Sequence, residues 1–476
     1  MSDFKIIIGL EIHAQLNTKS KMFCCCDNDS QGKKPNTVVC PICLGMPGTL
    51  PMPNKEAILK TLKLGKALSC EIPNYSKFDR KHYYYPDLPK GYQISQYDMP
   101  LCIGGNVSLE LNGVMKSVKL NRIHLEEDAG KLIHLSKNTI VDLNRAGTPL
   151  VEIVTEPVIS SPAEAKEFMR SLQKILRQLN VSNADMEKGH LRCDANISVI
   201  RSDQSSKIIE IKNLNSFKFV EQALVFEERR LRQEFENWPE EPTKITRGFD
   251  SKKGITFEQR RKEEAADYRY FPEPDIPPIK LAKSQIANLK SQIKELPKQK
   301  QQRYVTAGIR PDVAEKLVRE PKIAEYLESG ERLEKKIALF VSEEVGKAIA
   351  SHKLTYPEYQ KRVPISHIAD LLSLVREGMI SKTIAKEVFP EMVRSGKRAV
   401  EIIKEKGLEQ VSDSGELETL VAEIIKENPE LVEKYKSGKI QVVGFFVGEI
   451  MKRTGGKANP VVVNKILKEH LDGINS

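Results

Sequence analysis

Between His190 and Val199 the sequence alternates without a break. His190, Arg192, Asp194, Asn196 and Ser198 interleave with Leu191, Cys193, Ala195, Ile197 and Val199. A period of two sends successive side chains to opposite faces of a strand, so this segment has one apolar side and one polar side. The apolar side demands a core. The polar side puts acids and a histidine in a row, as on an antiparallel sheet with one face packed and the other wet. The pattern recurs in IIIGLEIHAQL, where Glu11, His13 and Gln15 oppose Leu10, Ile12 and Ala14. Glu210 and Lys212 share a face of Ile208–Asn213, and His124-Leu-Glu126-Glu127-Asp128 forms an acidic cluster. Glu152 sits alone in the apolar run PLVEIVTEP, where an unpaired charge is costly. Any one of these is equally well a half-solvated strand with no further role. Several in one domain favour a sheet face lined with carboxylates and imidazole. Hard oxygen ligands of that kind suit Mg²⁺ or Mn²⁺, with the phosphates of a nucleotide completing the shell.

Up to about residue 275 the chain reads as mixed strands and helices, with Gly104-Gly105 and Asn112-Gly113 as expected hairpin turns. Ser161-Pro162-x-Glu164 predicts a helix start, followed by Ala165, Phe168, Met169, Leu172, Ile175, Leu176 and Leu179 at helical spacing. A second helix is expected from about Ser216 to Glu236. Four prolines between Phe271 and Pro278 predict an extended connector. Beyond it the chain reads as short helices, with starts at Ser366, Ser381 and Asn428-Pro429. A break near Val411–Gly415 suggests a separable tail. The expected class is therefore α+β, an antiparallel sheet followed by an all-helical C-terminal half. The expected divisions are residues 1–293, 294–410 and 411–476.

Cys24-x-Cys26 and Cys40-x-x-Cys43 are two close cysteine pairs in a chain of 476 residues with no export signal. Four thiolates close a tetrahedral structural zinc site, because no position is left for water. Cys25 is expected to be a bystander, and Cys70, Cys102 and Cys193 to be core residues. A net charge of +10 permits nucleic-acid binding without demonstrating it. The longest nearly apolar run, Val442–Val447, is far too short to span a bilayer, so the expected location is the cytoplasm. The chain has no G-x-x-x-x-G-K-[ST] loop, G-x-S-x-G elbow or G-x-G-x-x-G fingerprint. Any ATP site must therefore be sheet-based.

Taken together, GLEIHAQL (9–16), CPICLGMPGTLP (40–51), SKFDRKHYYYPDLPKGYQISQYDMP (76–100), HLEEDAGK (124–131), DLNRAGTPLVEIVTEP (142–157), LRCDANIS (191–198), EIKNLNSF (210–217) and DYRYFPEPDIPP (267–278) closely resemble the B subunits of the tRNA-dependent amidotransferases. GFFVGEIMK (444–452) and KANP (457–460) resemble that family's tail. The resemblance implies ATP-dependent phosphorylation of the side-chain carboxylate of Glu-tRNA(Gln) or Asp-tRNA(Asn). Ammonia from a glutaminase, the A partner, then forms the amide, and a small C partner completes a heterotrimer. It further implies a sheet cradle similar to the glutamine synthetase/guanido kinase fold. It places the catalytic metal site on Glu11, His13, Glu152, Asp194 and Glu210, with one or both of Glu126 and Glu127. Lys90 would stand at an ammonia-channel mouth, Arg145 would contact the nucleotide, and the helical half would hold the tRNA. Two alternatives differ in kind. One is a non-catalytic, zinc-stabilised tRNA-binding protein, in which the acids would be dispensable. The other is a free-standing amide ligase, in which the helical half would be.

Overall fold

The computed structural model describes residues 4–202, 204–237, 244–261, 268–293, 295–330, 332–408, 414–437, 440–454, 458 and 460–473. It falls into two compact units, 1–300 and 301–476. The expected junctions at Lys294 and at residues 409–413 lie outside the described residues, as do Asp267, Lys457 and Asn459 of the motifs.

The first unit is organised by a ten-stranded sheet. From one edge the strands run Ile255–Arg261, Lys244–Asp250, Ile208–Leu214, Leu191–Arg201, Lys5–Gln15, Pro149–Thr155, Val114–Glu127 and Cys102–Ile103. Lys5–Gln15 lies in the interior, paired antiparallel with both Pro149–Thr155 and Leu191–Arg201. Its apolar residues Ile8, Leu10 and Ile12 are fully buried, as are Cys193, Ala195 and Ile197 across the ladder. Each large aliphatic side chain removed from water contributes about 1.5–3 kcal/mol. Helices Pro162–Gln178 and Phe217–Gln233 supply Phe168, Met169, Leu172, Val220 and Leu224 to the same core, covering the apolar face. Both start as expected: the Ser161 and Ser216 side chains accept the backbone N–H of Glu164 and Phe219. Such a cap contributes about 1 kcal/mol.

The structure corrects several expectations. One strand pair is parallel: Ile208–Ile211 runs alongside Lys244–Arg247, because the Phe217–Gln233 helix crosses over between them. Asn112-Gly113 does form a hairpin turn, with φ of 51° and 78°. Gly104-Gly105 does not. Cys102–Ile103 and Asn106–Leu111 both pair with Val114–Glu127, so the two glycines only interrupt one edge. Ser366 lies inside helix Ile365–Arg376 instead of capping it. The proline-rich connector is extended but not free. Phe271–Pro272 pairs with Asp79–His82, and Ile279–Lys280 pairs with Tyr75–Ser76. Arg80 holds Glu273 through two bonds of 2.7 and 2.8 Å.

The described residues of 301–476 are built from helices, among them Lys382–Ser395, capped by Ser381, and Pro429–Lys436. Two separate apolar clusters hold them: one runs from Tyr304 to Ile403, the other from Leu417 to Leu471. Among the described residues, no helix is long and apolar enough to cross a membrane.

Candidate metal and phosphoryl-transfer site

The register sets the polar face out in rows. His13 stands opposite Glu152, and Glu152 opposite His124; Glu11 stands opposite Asp194; Asn196 stands opposite Glu210. Paired residues on neighbouring strands point to the same side, so the strands deliver their acids and imidazoles to one place. Lining a cavity of about 270 Å³ are Glu11, His13, His124, Glu152, Asp194 and Glu210, together with Lys81, Arg122, Lys212, Lys244 and several aromatic or polar side chains.

At its floor, His13 Nε2 lies 3.4 Å from Glu152 and 3.7 Å from Glu126, and His124 Nε2 lies 3.4 Å from Glu152. The donor atoms of His13, Glu126 and Glu152 all fall within 4.8 Å of one another. Burial works against the charged form of His13, but Glu152, Glu126 and Asp194 outweigh it and lift its pKa to about 9. Glu126, buried beside Glu152, is pushed up. Glu152 is buried as well, yet the two imidazoles hold it well below the usual carboxylate range. Nδ1 of His124 is buried and has no hydrogen-bond partner among the described residues. The carboxylate oxygens of this group suit a hard divalent cation, and His13 adds a nitrogen donor.

Further along the face, Lys212 Nζ donates to Asp194 Oδ2 at 2.7 Å and lies 3.1 Å from Glu210; Lys244 lies 2.9 Å from Glu210. Burial raises the Glu210 carboxyl, but the two lysines bring it down to about 2. A second cavity of about 370 Å³ shares His13, Lys81, Asp194 and Lys212 with the first and adds Arg145, Arg192 and Asp128. Arg145 donates to the carbonyls of Ala129 and Gly130 at 2.9 and 2.5 Å, which fixes its guanidinium at that cavity.

The structure separates the two neighbouring glutamates. Glu126 joins the imidazoles, with its carboxylate 3.3 Å from Ser95 Oγ. Glu127 is not brought into that group: it turns to the other face, pairs with Lys90 at 2.5 Å and accepts the N–H of Ile94. Lys90 and Glu127 border a third cavity beside Cys24 and Cys43.

The sulfurs of Cys24, Cys26, Cys40 and Cys43 lie within 4.8 Å of one another, a donor set that could hold a metal such as zinc. The Cys40 N–H points at Cys43 Sγ from 3.2 Å, and buried Lys21 stands 3.8 Å from the same sulfur. The Cys24 thiol, helped by Lys21, draws the Cys43 thiol down to about 4 against the effect of burial. Burial, together with the Cys40 and Cys43 thiols, pushes Cys26 up to about 11. Cys25 is exposed, whereas Cys70, Cys102 and Cys193 are buried.

Lys81 and Lys244 escaped the sequence reading. Lys81 reaches the cavity from the small sheet Asp79–His82, Tyr92–Ser95, Phe271–Pro272, and its ammonium lies 4.8 Å from the Tyr268 ring centre. DRKHYYY is polar or aromatic throughout, so no alternation marks Lys81. Lys244 becomes visible only through its pairing opposite Ile208.

The α+β domain thus gathers acids, imidazoles and lysines on one sheet face, and His13, Glu126 and Glu152 form a donor group that could hold a metal ion. Residues 6–287 match the family model described as the GatB/GatE catalytic domain, and residues 322–471 match the GatB domain. The chain is 47% identical to the B subunit of aspartyl/glutamyl-tRNA(Asn/Gln) amidotransferase from Pseudothermotoga lettingae, over 98% of this chain and 99% of that protein. It is 46% identical to the B subunits of the same enzyme from Thermotoga maritima (99% of each chain) and Persephonella marina (98% of this chain, 100% of that one). The chain belongs to the family of aspartyl/glutamyl-tRNA(Asn/Gln) amidotransferase B subunits.

Proposed function

We propose that this chain carries the kinase and transamidation steps of an enzyme that converts Glu-tRNA(Gln), Asp-tRNA(Asn) or both to the amidated forms. The observation that carries this reading is the group of acids and imidazoles facing Lys81, Lys212 and Lys244 in one cavity, inside the segment matched by a catalytic-domain model. A carboxylate anion is a poor electrophile and needs a leaving group. When bound, ATP with Mg²⁺ or Mn²⁺ supplies the phosphoryl group that activates it, and ammonia then displaces phosphate to give the amide. The residues assigned to hold the metal are Glu11, His13, Glu126, Glu152, Asp194 and Glu210. Lys81, Lys212 and Lys244 present positive charge to phosphate oxygens, and Arg145 adds a further contact from the adjoining cavity. The four clustered cysteines are assigned a structural zinc.

In this reading ammonia comes from a glutaminase, the A partner, and passes Lys90 and Glu127; the small C partner completes the heterotrimer. Residues 1–293 form the cradle, akin to the glutamine synthetase/guanido kinase fold. Residues 294–410 and 411–476 grip the tRNA through Lys and Arg contacts to phosphate. The test is co-purification with the A and C partners and assay of both misacylated tRNAs with ATP and glutamine. Amide product from at least one is expected. No product from either, in a complex that still hydrolyses glutamine, would leave the non-catalytic tRNA-binding role instead.

A further inference from the structure

The rim of the metal-site cavity carries a feature that the acids and lysines do not explain. Tyr97 and Tyr270 stack nearly parallel, with ring centres 4.3 Å apart and planes 12° from each other. Both line the cavity that holds Glu11, His13 and Lys81. Tyr97 is 60% exposed, whereas its neighbours Ser95 and Gln96 are each only 2% exposed. Those neighbours root it. The Gln96 amide donates to Ser76 Oγ at 2.7 Å and its carbonyl accepts the N–H of Leu125 at 3.0 Å. The Tyr97 N–H donates to Asp79 at 3.0 Å. The result is a large, flat, open ring face, fixed in place at the mouth of a pocket whose floor is polar and charged. Leaving a tyrosine ring in water forgoes the gain of burying it. A ring backed by a second ring and held by fixed backbone is pre-organised to receive a planar group at little entropic cost.

A ligand that joins a flat apolar plate to a chain of anionic groups matches this layout end to end. The plate rests on the tyrosine, and the anions reach Lys81, Lys212 and Lys244. Resting on the functional reading above, we infer that Tyr97, backed by Tyr270, is the stacking surface for an adenine ring. Both substrates of the proposed reaction that enter this cavity carry one: ATP, and the 3′-terminal adenosine of the aminoacyl-tRNA. Stacking uses only the π-face, so the phenol hydroxyl is dispensable and the ring is not.

The experiment measures dissociation constants of ATP with Mg²⁺ and of aminoacyl-tRNA on the heterotrimeric complex, by equilibrium dialysis and filter binding, so it requires no turnover. Tyr97→Ala should weaken one of the two by roughly 5- to 150-fold, the span expected for loss of one base–aromatic stack. Tyr97→Phe should restore the affinity, which loss of a hydroxyl contact would not allow, and unchanged affinity for the other ligand in Tyr97→Ala excludes general misfolding. If the tRNA is the partner, the Tyr97→Ala loss persists with deacylated full-length tRNA and disappears when the terminal adenosine, which carries the aminoacyl ester, is removed as well; if ATP is, the tRNA arm stays flat. Unchanged affinity for both substrates, or equal losses in the Phe and Ala variants, overturns the inference. An absence of amide synthesis by the parent complex would count against the functional reading instead.

Discussion

Replacing Asp194 by asparagine should disable the site and leave the fold standing. Asp194 Oδ1 accepts the N–H of Asn213 at 2.8 Å, and Oδ2 accepts from the Lys212 ammonium at 2.7 Å. An asparagine of the same shape has one acceptor. If its oxygen stays on Asn213, its NH₂ group faces the ammonium, donor against donor. One charge-assisted hydrogen bond is removed, at about 1.5–3 kcal/mol. Lys212 is 32% exposed, so solvent screens part of that, and about 1–2 kcal/mol is expected. In a unit of this size that lowers the melting temperature by about 2–8 °C. Activity should fall much further, to below about 1% of the parent, because a charged oxygen donor is lost from the proposed metal site. The assay pairs a thermal melt with ATP-dependent phosphorylation and transamidation in the reconstituted complex, where partner glutamine hydrolysis continues at its basal rate. Glu11→Gln, which keeps the contact to Asn196 within reach, should behave alike. Parental transamidation by either variant refutes the assignment. A melting loss beyond about 15 °C, well outside that span, would make Asp194 a structural residue instead.

Glu126→Gln should abolish phosphorylation, whereas Glu127→Gln should leave nucleotide-dependent metal binding intact, as read by Mn²⁺ titration; the reverse result would exchange their roles. Metal analysis should return about one zinc per chain, lost with local stability in Cys40→Ser; full stability without metal would reduce the cysteines to packing. Truncation from Val411 should raise the KM for aminoacyl-tRNA and flatten its salt dependence without lowering turnover at saturation. An unchanged salt slope would remove the tail from tRNA binding. Asp128 is buried, but Arg192 and Arg145 hold its carboxyl below the usual range. Its contribution to stability is therefore complete above the unfolded carboxylate value of about 3.9 and is lost as pH falls through the lower folded value. Asp128→Asn should flatten the acid limb of a denaturation-versus-pH curve; an identical limb would contradict this pairing.

Much of the site was legible because alternation is a local signal. Glu11, His13, Asp194 and Glu210 could be placed on polar strand faces from their own neighbours alone. What escaped depends on partners distant in sequence. Alternation groups Glu126 with His124, but the family resemblance leaves Glu126 and Glu127 both open, and the pairing of Leu150 and Pro149 with them puts Glu126 on the side of the imidazoles. Lys81 reaches the cavity from a separate small sheet whose third strand is Phe271–Pro272, and nothing in DRKHYYY announces that docking. The two glycines at 104–105 carry a hairpin's composition, yet both flanking segments pair with the same third strand. Ser366 fails as a cap because helix Ile365–Arg376 begins one residue before it.

The interior position of Lys5–Gln15 also has a bearing on synthesis. Its two hydrogen-bonding neighbours, Pro149–Thr155 and Leu191–Arg201, follow it at long range in the sequence. At a ribosomal pace of about 5–20 residues per second, on the order of 10–40 s pass before the second neighbour emerges. Until Pro149–Thr155 emerges the segment has two bare edges, and until Leu191–Arg201 emerges it still has one, so its Ile-rich strand is open to pairing with other nascent chains. Its yield in a cell should therefore depend on chaperone capacity during translation more than on the stability of the finished sheet, and slowing elongation before residue 201 should lower soluble yield.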